Sequence, residues 1–203
     1  MEIPIDKPHI LWYNIRRSKW RTMCAATLYE GGAANMPFSL LPKAIFHKLT
    51  DVTPAFLRER GVRLLMLDFD NTMLPYTSKI PTQELLTWID GMKRGGIQLC
   101  VVSNSKKNKA PGFCKAHNIA CVTRSKKPGR RGIRQCLARF DAEARETALA
   151  GDQIFTDVLG ANRAGALSIL VKPIHLHNIW LKLRHAAEQP FIYLARKRRI
   201  TKP

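Results

Sequence analysis

Residues 62–74 read VRLLMLDFDNTML, and how that stretch is understood decides the fold. An apolar run stops abruptly at two carboxylates, Asp68 and Asp70, with Thr72 just beyond. Strands buried on both faces of a parallel sheet have this continuous apolar character, and open α/β sheets carry their chemistry at the carboxyl ends of such strands. Asp68 and Asp70 are alternate residues, so on an extended backbone their side chains leave the same side. Two anions held together repel unless a cation lies between them or one is protonated. The pair therefore implies a metal, a proton, or both. The plainer alternative is a turn, which Asn71 and Pro75 favour, with the aspartates capping the next element.

Working outward, the chain reads as strands alternating with helices. Apolar spacing predicts a helix over 38–49 and a second over 51–60, with Thr53 capping ahead of Pro54. Strands follow at 62–68, 97–103, 119–123, 147–151 and 167–171. Helices are expected at 82–94 (stopped by Gly95–Gly96), 107–117, 127–140 (begun by Pro128) and 156–164 (closed by Gly165). This alternation predicts an α/β fold, a three-layer Rossmann-like sandwich around a central parallel sheet. Residues 1–35 read as a separate basic and aromatic extension: 15–21 is IRRSKWR, and 31–34, GGAA, resembles a flexible joint. A mis-assigned translation start would account for them. Residues 36–174 form the domain, and 175–203 a basic amphipathic helix and tail.

The composition narrows the partners. With 203 residues, 45% hydrophobic and 24% charged, the chain has the make-up of one folded domain with short extensions. Its 34 Lys and Arg against 15 Asp and Glu give a formal charge of +19, a surface that attracts polyanions such as nucleic acid, anionic lipid or phosphorylated substrates. Five cysteines without a CxxC pair, two of them (Cys100 and Cys121) in apolar strand-like runs, read as reduced structural thiols. No apolar stretch approaches the roughly 20 residues that cross a bilayer, and the N-terminus lacks the apolar core of a secretory signal, so a cytoplasmic protein is expected.

Three further motifs fall at strand ends. LCVVSNS (99–105) brings Ser103 to the same sheet edge as Asp68, where a hydroxyl can bond a phosphoryl oxygen, although serine after a strand more often caps a turn. RSKKP (124–128) offers a lysine that could neutralise a phosphate, although loop lysines are more often solvated. GDQIFTDVLGANRAG (151–165) delivers Asp152 to the edge and Asp157 to the first turn of a helix. Asp68 and Asp152, with the main-chain carbonyl of Asp70, are oxygen donors of the type a hard cation such as Mg²⁺ takes.

DFDNT (68–72), VSNS (102–105), the lysine before Pro128 and GDQIFTD (151–157) resemble the haloacid dehalogenase-like (HAD) phosphatases. DNT, KP and GDQxxTDVLGxNRAG, followed by ILVKPI (169–174), are similar to the YqeG-like branch (subclass IIIA), which is related to mitochondrial phosphatidylglycerophosphate phosphatases. The resemblance spans about residues 38–174. It implies a Mg²⁺-dependent phosphomonoesterase. Asp68 would be the nucleophile and Asp70 the general acid and base; Thr72 and Ser103 would hold phosphoryl oxygens, and Lys127 would balance charge, with Lys126 as the alternative in another register. Metal binding would fall to Asp68, Asp70 and Asp152, and Asp157 would orient Lys127 or serve the metal. Phosphatidylglycerophosphate would be the substrate.

The spacing adds an expectation. About thirty residues separate Thr72 from Ser103 and about two dozen separate Ser103 from Lys127, room for a helix and a strand each and not for a cap domain. An open site admits a phosphate carried on something large. In 175–189, Leu176, Ile179, Trp180 and Leu183 share a helical face, and FIYLARKRR follows Pro190; such segments lie on anionic membranes or pack on a domain. The tail therefore points to a peripheral position on the inner face of a membrane. His175 and His177 read as surface residues rather than a metal site. Two alternatives stay open: the same chemistry on a soluble phosphosugar, nucleotide or nucleic-acid end, and a basic RNA- or ribosome-binding protein on this scaffold.

Overall fold

β2 (Leu64–Leu67) is an inner strand of the sheet with all four side chains buried. The structure is a computed structural model describing residues 39–197 apart from Lys79, Lys107 and His177. The chain divides into two units, Met1–Asn35 and Met36–Pro203; the extension and joint expected over 1–35 lie outside the described residues. The other strands are β1 (Ala44–Phe46), β3 (Gln98–Val102), β4 (Ala120–Val122), β5 (Thr147–Gly151) and β6 (Leu167–Val171). All pair in parallel in the order β1-β6-β5-β2-β3-β4. Register aligns Leu67 of β2 with Val101 of β3 and Ala150 of β5, so three strands end level with one another.

The helices are α1 (Pro54–Glu59), α2 (Gln83–Arg94), α3 (Lys109–Ala116), α4 (Arg131–Arg139), α5 (Leu159–Ala164) and α6 (Ile179–Lys197). Alternation along each strand sorts them into two layers. Leu65, Leu67, Leu99 and Val101 share one core with Leu57 of α1, Ile89 and Met92 of α2 and Phe113 of α3. Leu64, Met66, Cys100 and Val102 share the other with Ile133 and Cys136 of α4 and Ala161 of α5. A satellite cluster of Ile154, Val158, Leu170 and Ile192 seats α6. This is the three-layer α/β sandwich expected. One helix and one strand lie between Thr72 and Ser103, and again between Ser103 and Lys127, so these intervals hold no cap domain.

Four local expectations are corrected. The helix expected over 38–49 is instead an approach to β1, whose Ala44 and Phe46 are buried while Ile45 turns to the other face. Pro42 biases the residue before it to extended backbone, and pairing with β6, extended by the Lys43 N–H donating to Ser168 O at 3.0 Å, outweighs the helical spacing. α4 starts at Arg131 rather than at 127, because 125–129 is a turn held by its own hydrogen bonds. The segment expected as helix from Thr156 opens with a π-helical turn, Ile154–Val158, before α5. α6 runs on through Pro190 to Lys197. By contrast Thr53 caps α1 as read, accepting from Phe56 N, and Thr82 caps α2 in the same way, accepting from Leu85 N. Cys100, Cys114, Cys121 and Cys136 are free thiols. No described helix is long and apolar enough to cross a membrane.

Candidate active site

The sheet order reverses direction between β2 and β5: β3 and β4 extend to one side of β2, and β5 and β6 to the other. Above such a switch point the connecting loops diverge and leave a crevice at the carboxyl edge. Asp68 directly follows β2, Asp152 directly follows β5, Ser103 directly follows β3, and Lys127 sits in the turn after β4. All four are buried, as are Thr72 and Asp157.

Lys127 organises the centre. Its side chain, 1% exposed, places Nζ 2.7 Å from Asp68 Oδ1 and 2.8 Å from Asp157 Oδ1. Burial alone would lower its pKa, but the charges of Asp157 and Asp68 outweigh that and hold the amine above the ordinary lysine range. The ammonium is therefore charged. Lys126, with φ +56°, is exposed, so the register falls on Lys127. Asn104 fixes the turn: its Oδ1 accepts from Lys127 N at 2.7 Å and from Ser125 Oγ at 2.7 Å, while its Nδ2 donates to Lys127 O at 2.9 Å.

One carboxylate oxygen each from Asp68, Asp152 and Asp157 lie within 4.8 Å of one another. Burial first, then the charges of Asp157 and Asp68, push the Asp152 carboxyl up to about 8. Burial also raises Asp157, with Lys127 pulling the other way. Asp157 Oδ2 accepts from Gln153 N at 3.2 Å, whereas Oδ1 faces Lys127 without hydrogen-bond geometry and is otherwise unbonded. A buried, crowded, oxygen-only set with an under-bonded carboxylate fits a hard divalent cation, which would reverse the penalty on Asp152. Gly151 leaves space for this packing, since a Cβ there would land on the Asp157 carboxylate.

Asp70 does not join the cluster through its side chain. Its carboxylate, 20% exposed, lies 3.8 Å from Lys109 Nζ at the mouth, and Lys109 also donates to Pro75 O at 2.7 Å. Alternation would have sent Asp68 and Asp70 the same way. The strand ends at Leu67, however, and the backbone turns at once through Asn71 at φ +69°, a left-handed conformation asparagine tolerates. Thr72 Oγ1 donates to Asp152 Oδ1 at 3.3 Å, and Asn71 Nδ2 donates to Asp152 Oδ2 at 3.4 Å. Ser103 Oγ accepts from Ser105 N at 3.0 Å. His175 contributes its backbone N–H to Asn71 Oδ1 at 2.9 Å and has an exposed side chain, while His177 lies outside the described residues.

Sequence reasoning passed over four residues of this region: Asn71 and Asn104 as clamps, Lys109 at the mouth, and Glu188. Glu188 of α6 is buried, and its Oε1 accepts from Ile154 N at 2.9 Å, anchoring the loop that carries Asp152. Its signal was present: an acid in phase with Leu181, Ile192 and Ala195 on an otherwise basic helix.

Comparison with known proteins accords with this geometry. The family model described as mitochondrial PGP phosphatase matches residues 33–174. "Probable phosphatase YqeG" of Bacillus subtilis (strain 168) is 33% identical over 132 residues, 65% of this chain and 74% of that protein. The cobalt-bound deoxy-D-mannose-octulosonate 8-phosphate phosphatase of Haemophilus influenzae is similar at 11% identity and TM-score 0.45, over 67% of this chain and 90% of that one. A HAD superfamily (subfamily III A) hydrolase structure from Legionella pneumophila is similar at 14% identity and TM-score 0.39, over 48% and 59%. With a match over most of its length, the chain belongs to the mitochondrial PGP phosphatase family and is a phosphatase.

Proposed function

We propose that this phosphatase hydrolyses phosphatidylglycerophosphate to phosphatidylglycerol through an aspartyl-phosphate on Asp68. The observation that carries the chemistry is Asp68 at the switch point, buried and 2.7 Å from the charged Lys127 amine. A carboxylate nucleophile splits one difficult hydrolysis into two displacements. An Asp68 oxygen bonds to phosphorus as the bond to the ester oxygen breaks, and Asp70 at the mouth gives that alkoxide its proton. Asp70 then takes a proton from the water that attacks the aspartyl-phosphate, restoring Asp68 and releasing inorganic phosphate. Lys127 compensates charge on the transferring phosphoryl group, and Ser103 holds one of its oxygens. Thr72, whose hydroxyl is engaged by Asp152, is better read as orienting that carboxylate than as a phosphate ligand.

Asp68, Asp152 and Asp157, with the main-chain carbonyl of Asp70, would hold the cation, which we assign as Mg²⁺ from the all-oxygen donor set. When bound it supplies positive charge that lets a phosphate dianion approach these acids. The lipid substrate draws on the family to which the chain belongs, on an edge without a cap domain among the described residues, and on the basic charge of the chain. The same features favour action at the inner surface of a membrane.

The test is phosphate release from a panel of phosphatidylglycerophosphate in detergent, phosphosugars, nucleotides and 5′-phosphorylated oligonucleotides, with and without Mg²⁺. Preference for the lipid is expected, with turnover abolished in Asp68→Asn and folding intact. Turnover retained in Asp68→Asn overturns the nucleophile; preference for a soluble ester or an oligonucleotide end overturns the substrate. RNA retention without Mg²⁺-dependent phosphate release would favour a binding protein instead.

A further inference from the structure

α6 has two apolar faces, and the domain covers one of them. Leu181, Glu188, Ile192 and Ala195 point inward, with Ile192 in the satellite cluster. The opposite side carries Ile179, Leu183, Pro190, Tyr193 and Leu194, all exposed, with Trp180 on its edge. At 100° per residue these positions fall within one side of the helix, and Ala186 and Ala187, also exposed, fill the gap between them. Trp180 is 77% exposed and Tyr193 66%. Scattered apolar residues on a surface need no explanation, but an apolar stripe along a 19-residue helix does. Lys182 and Arg196 flank it on one side and Arg184 on the other, and Lys197 closes its end.

We propose that this outward face of α6 docks the enzyme on an anionic lipid bilayer, with the apolar stripe entering the interface and the basic flanks meeting the headgroups. The proposal rests on the lipid-substrate reading above and identifies the surface that serves it. Three observations select a bilayer. The flanking charges complement an anionic surface. Tryptophan and tyrosine are the side chains that settle at the boundary between hydrocarbon and headgroup. A second copy laid on the stripe would oppose these basic flanks to one another and be repelled. The docked helix is also tied to the chemistry, because Glu188 bonds Ile154 N two residues beyond Asp152. Arg184, one turn earlier on α6, is close enough for its charge to act on Asp152 and Tyr76. Docking therefore holds at the membrane surface a helix that is bonded to the loop carrying Asp152.

The test uses the full chain with vesicles of phosphatidylcholine alone or mixed with phosphatidylserine, an anionic lipid without a monoester for the site. The measurements are co-sedimentation, the fluorescence of Trp180 against W180F, and oligomeric state by light scattering. Expected are binding to the anionic vesicles, a blue-shifted Trp180, and a loss of about tenfold or more in partitioning for both I179S/L183S and K182E/R196E. Both variants should hydrolyse p-nitrophenyl phosphate, and phosphatidylglycerophosphate in detergent, as wild type does. Undiminished vesicle binding by both variants overturns the docking face. So does a wild-type dimer that I179S/L183S dissolves without any vesicle binding. Docking as expected without hydrolysis of phosphatidylglycerophosphate in detergent sinks the substrate reading and leaves the docking face standing.

Discussion

The carboxyl edge of the sheet and the outer side of α6 break the rules of burial in opposite directions. At the edge, Asp68, Asp152, Asp157 and Lys127 are all at most 8% exposed. On the helix, Ile179, Trp180, Leu183 and Tyr193 are all more than half exposed. Burying charge and exposing apolar surface both cost free energy unless something compensates. Within the edge the compensation is visible as ion pairs and clamps. On the helix nothing within the described residues supplies it. The site is therefore largely assembled by the fold, whereas the helix face is left uncovered by the described residues and is the face we propose a bilayer covers.

The sharpest way to break this comparison is to remove the compensation at the edge. Lys127→Met leaves Asp68 and Asp157 without the ammonium between them, and breaking a buried pair costs about 3–5 kcal/mol. Denaturant unfolding should show that loss, partly recovered by divalent cation; an unchanged midpoint would mean that Lys127 is not the counter-charge. Gly151→Ala comes next. Its Cβ displaces the Asp157 carboxylate, and we expect kcat to fall about 10²-fold while circular dichroism stays native.

The third concerns pH. A carboxyl held at about 8 in the folded state binds its proton more tightly there than in the unfolded chain. Without metal, this contribution to stability is present below the ordinary aspartate range near pH 4 and is lost as pH rises toward 8. In excess chelator Tm should therefore fall across that window by at least roughly 5 °C more in wild type than in Asp152→Asn. Saturating Mg²⁺ should remove the difference, and parallel curves in chelator would contradict the burial of a strained carboxylate.

Asn104→Ala probes the clamp. It strands the Lys127 N–H and the Ser125 hydroxyl and should cost about 1–3 kcal/mol, with a fall in kcat that Asn104→Asp does not fully rescue, since the bond to Lys127 O needs a donor. The smallest effect is on the other side of the comparison. In the absence of lipid, I179S/L183S should unfold within about 0.5 kcal/mol of wild type. A larger loss would show that this face is packed in the free protein.

Much of the site could be read before any coordinates, because each motif is a local event. An apolar run that stops at a charged or hydroxyl residue marks a strand end, and that located Asp68, Ser103 and Asp152 without knowledge of their neighbours. The misreadings have two causes, one distant in sequence and one local. The spacing at 38–49 suited a helix, yet hydrogen bonds offered by β6 made Ala44–Phe46 a strand. Asp70 follows Asp68 in strand phase, yet the turn at Asn71 sends its side chain to Lys109.

The amino-acid sequence alone determined the α/β alternation and the residues that meet at the carboxyl edge, because strand period and strand-end chemistry are properties of a few adjacent positions. The resemblance names Lys127 with Lys126 as the alternative, and leaves Asp157 to either the lysine or the metal; tertiary structure brings Lys127 into the cluster and sets Asp157 against both the lysine and the other two carboxylates. It also decided which apolar face of α6 is covered. That helix carries apolar residues on both sides, so periodicity is degenerate, and packing on Ile154, Val158 and Leu170 together with the Glu188 bond breaks the tie.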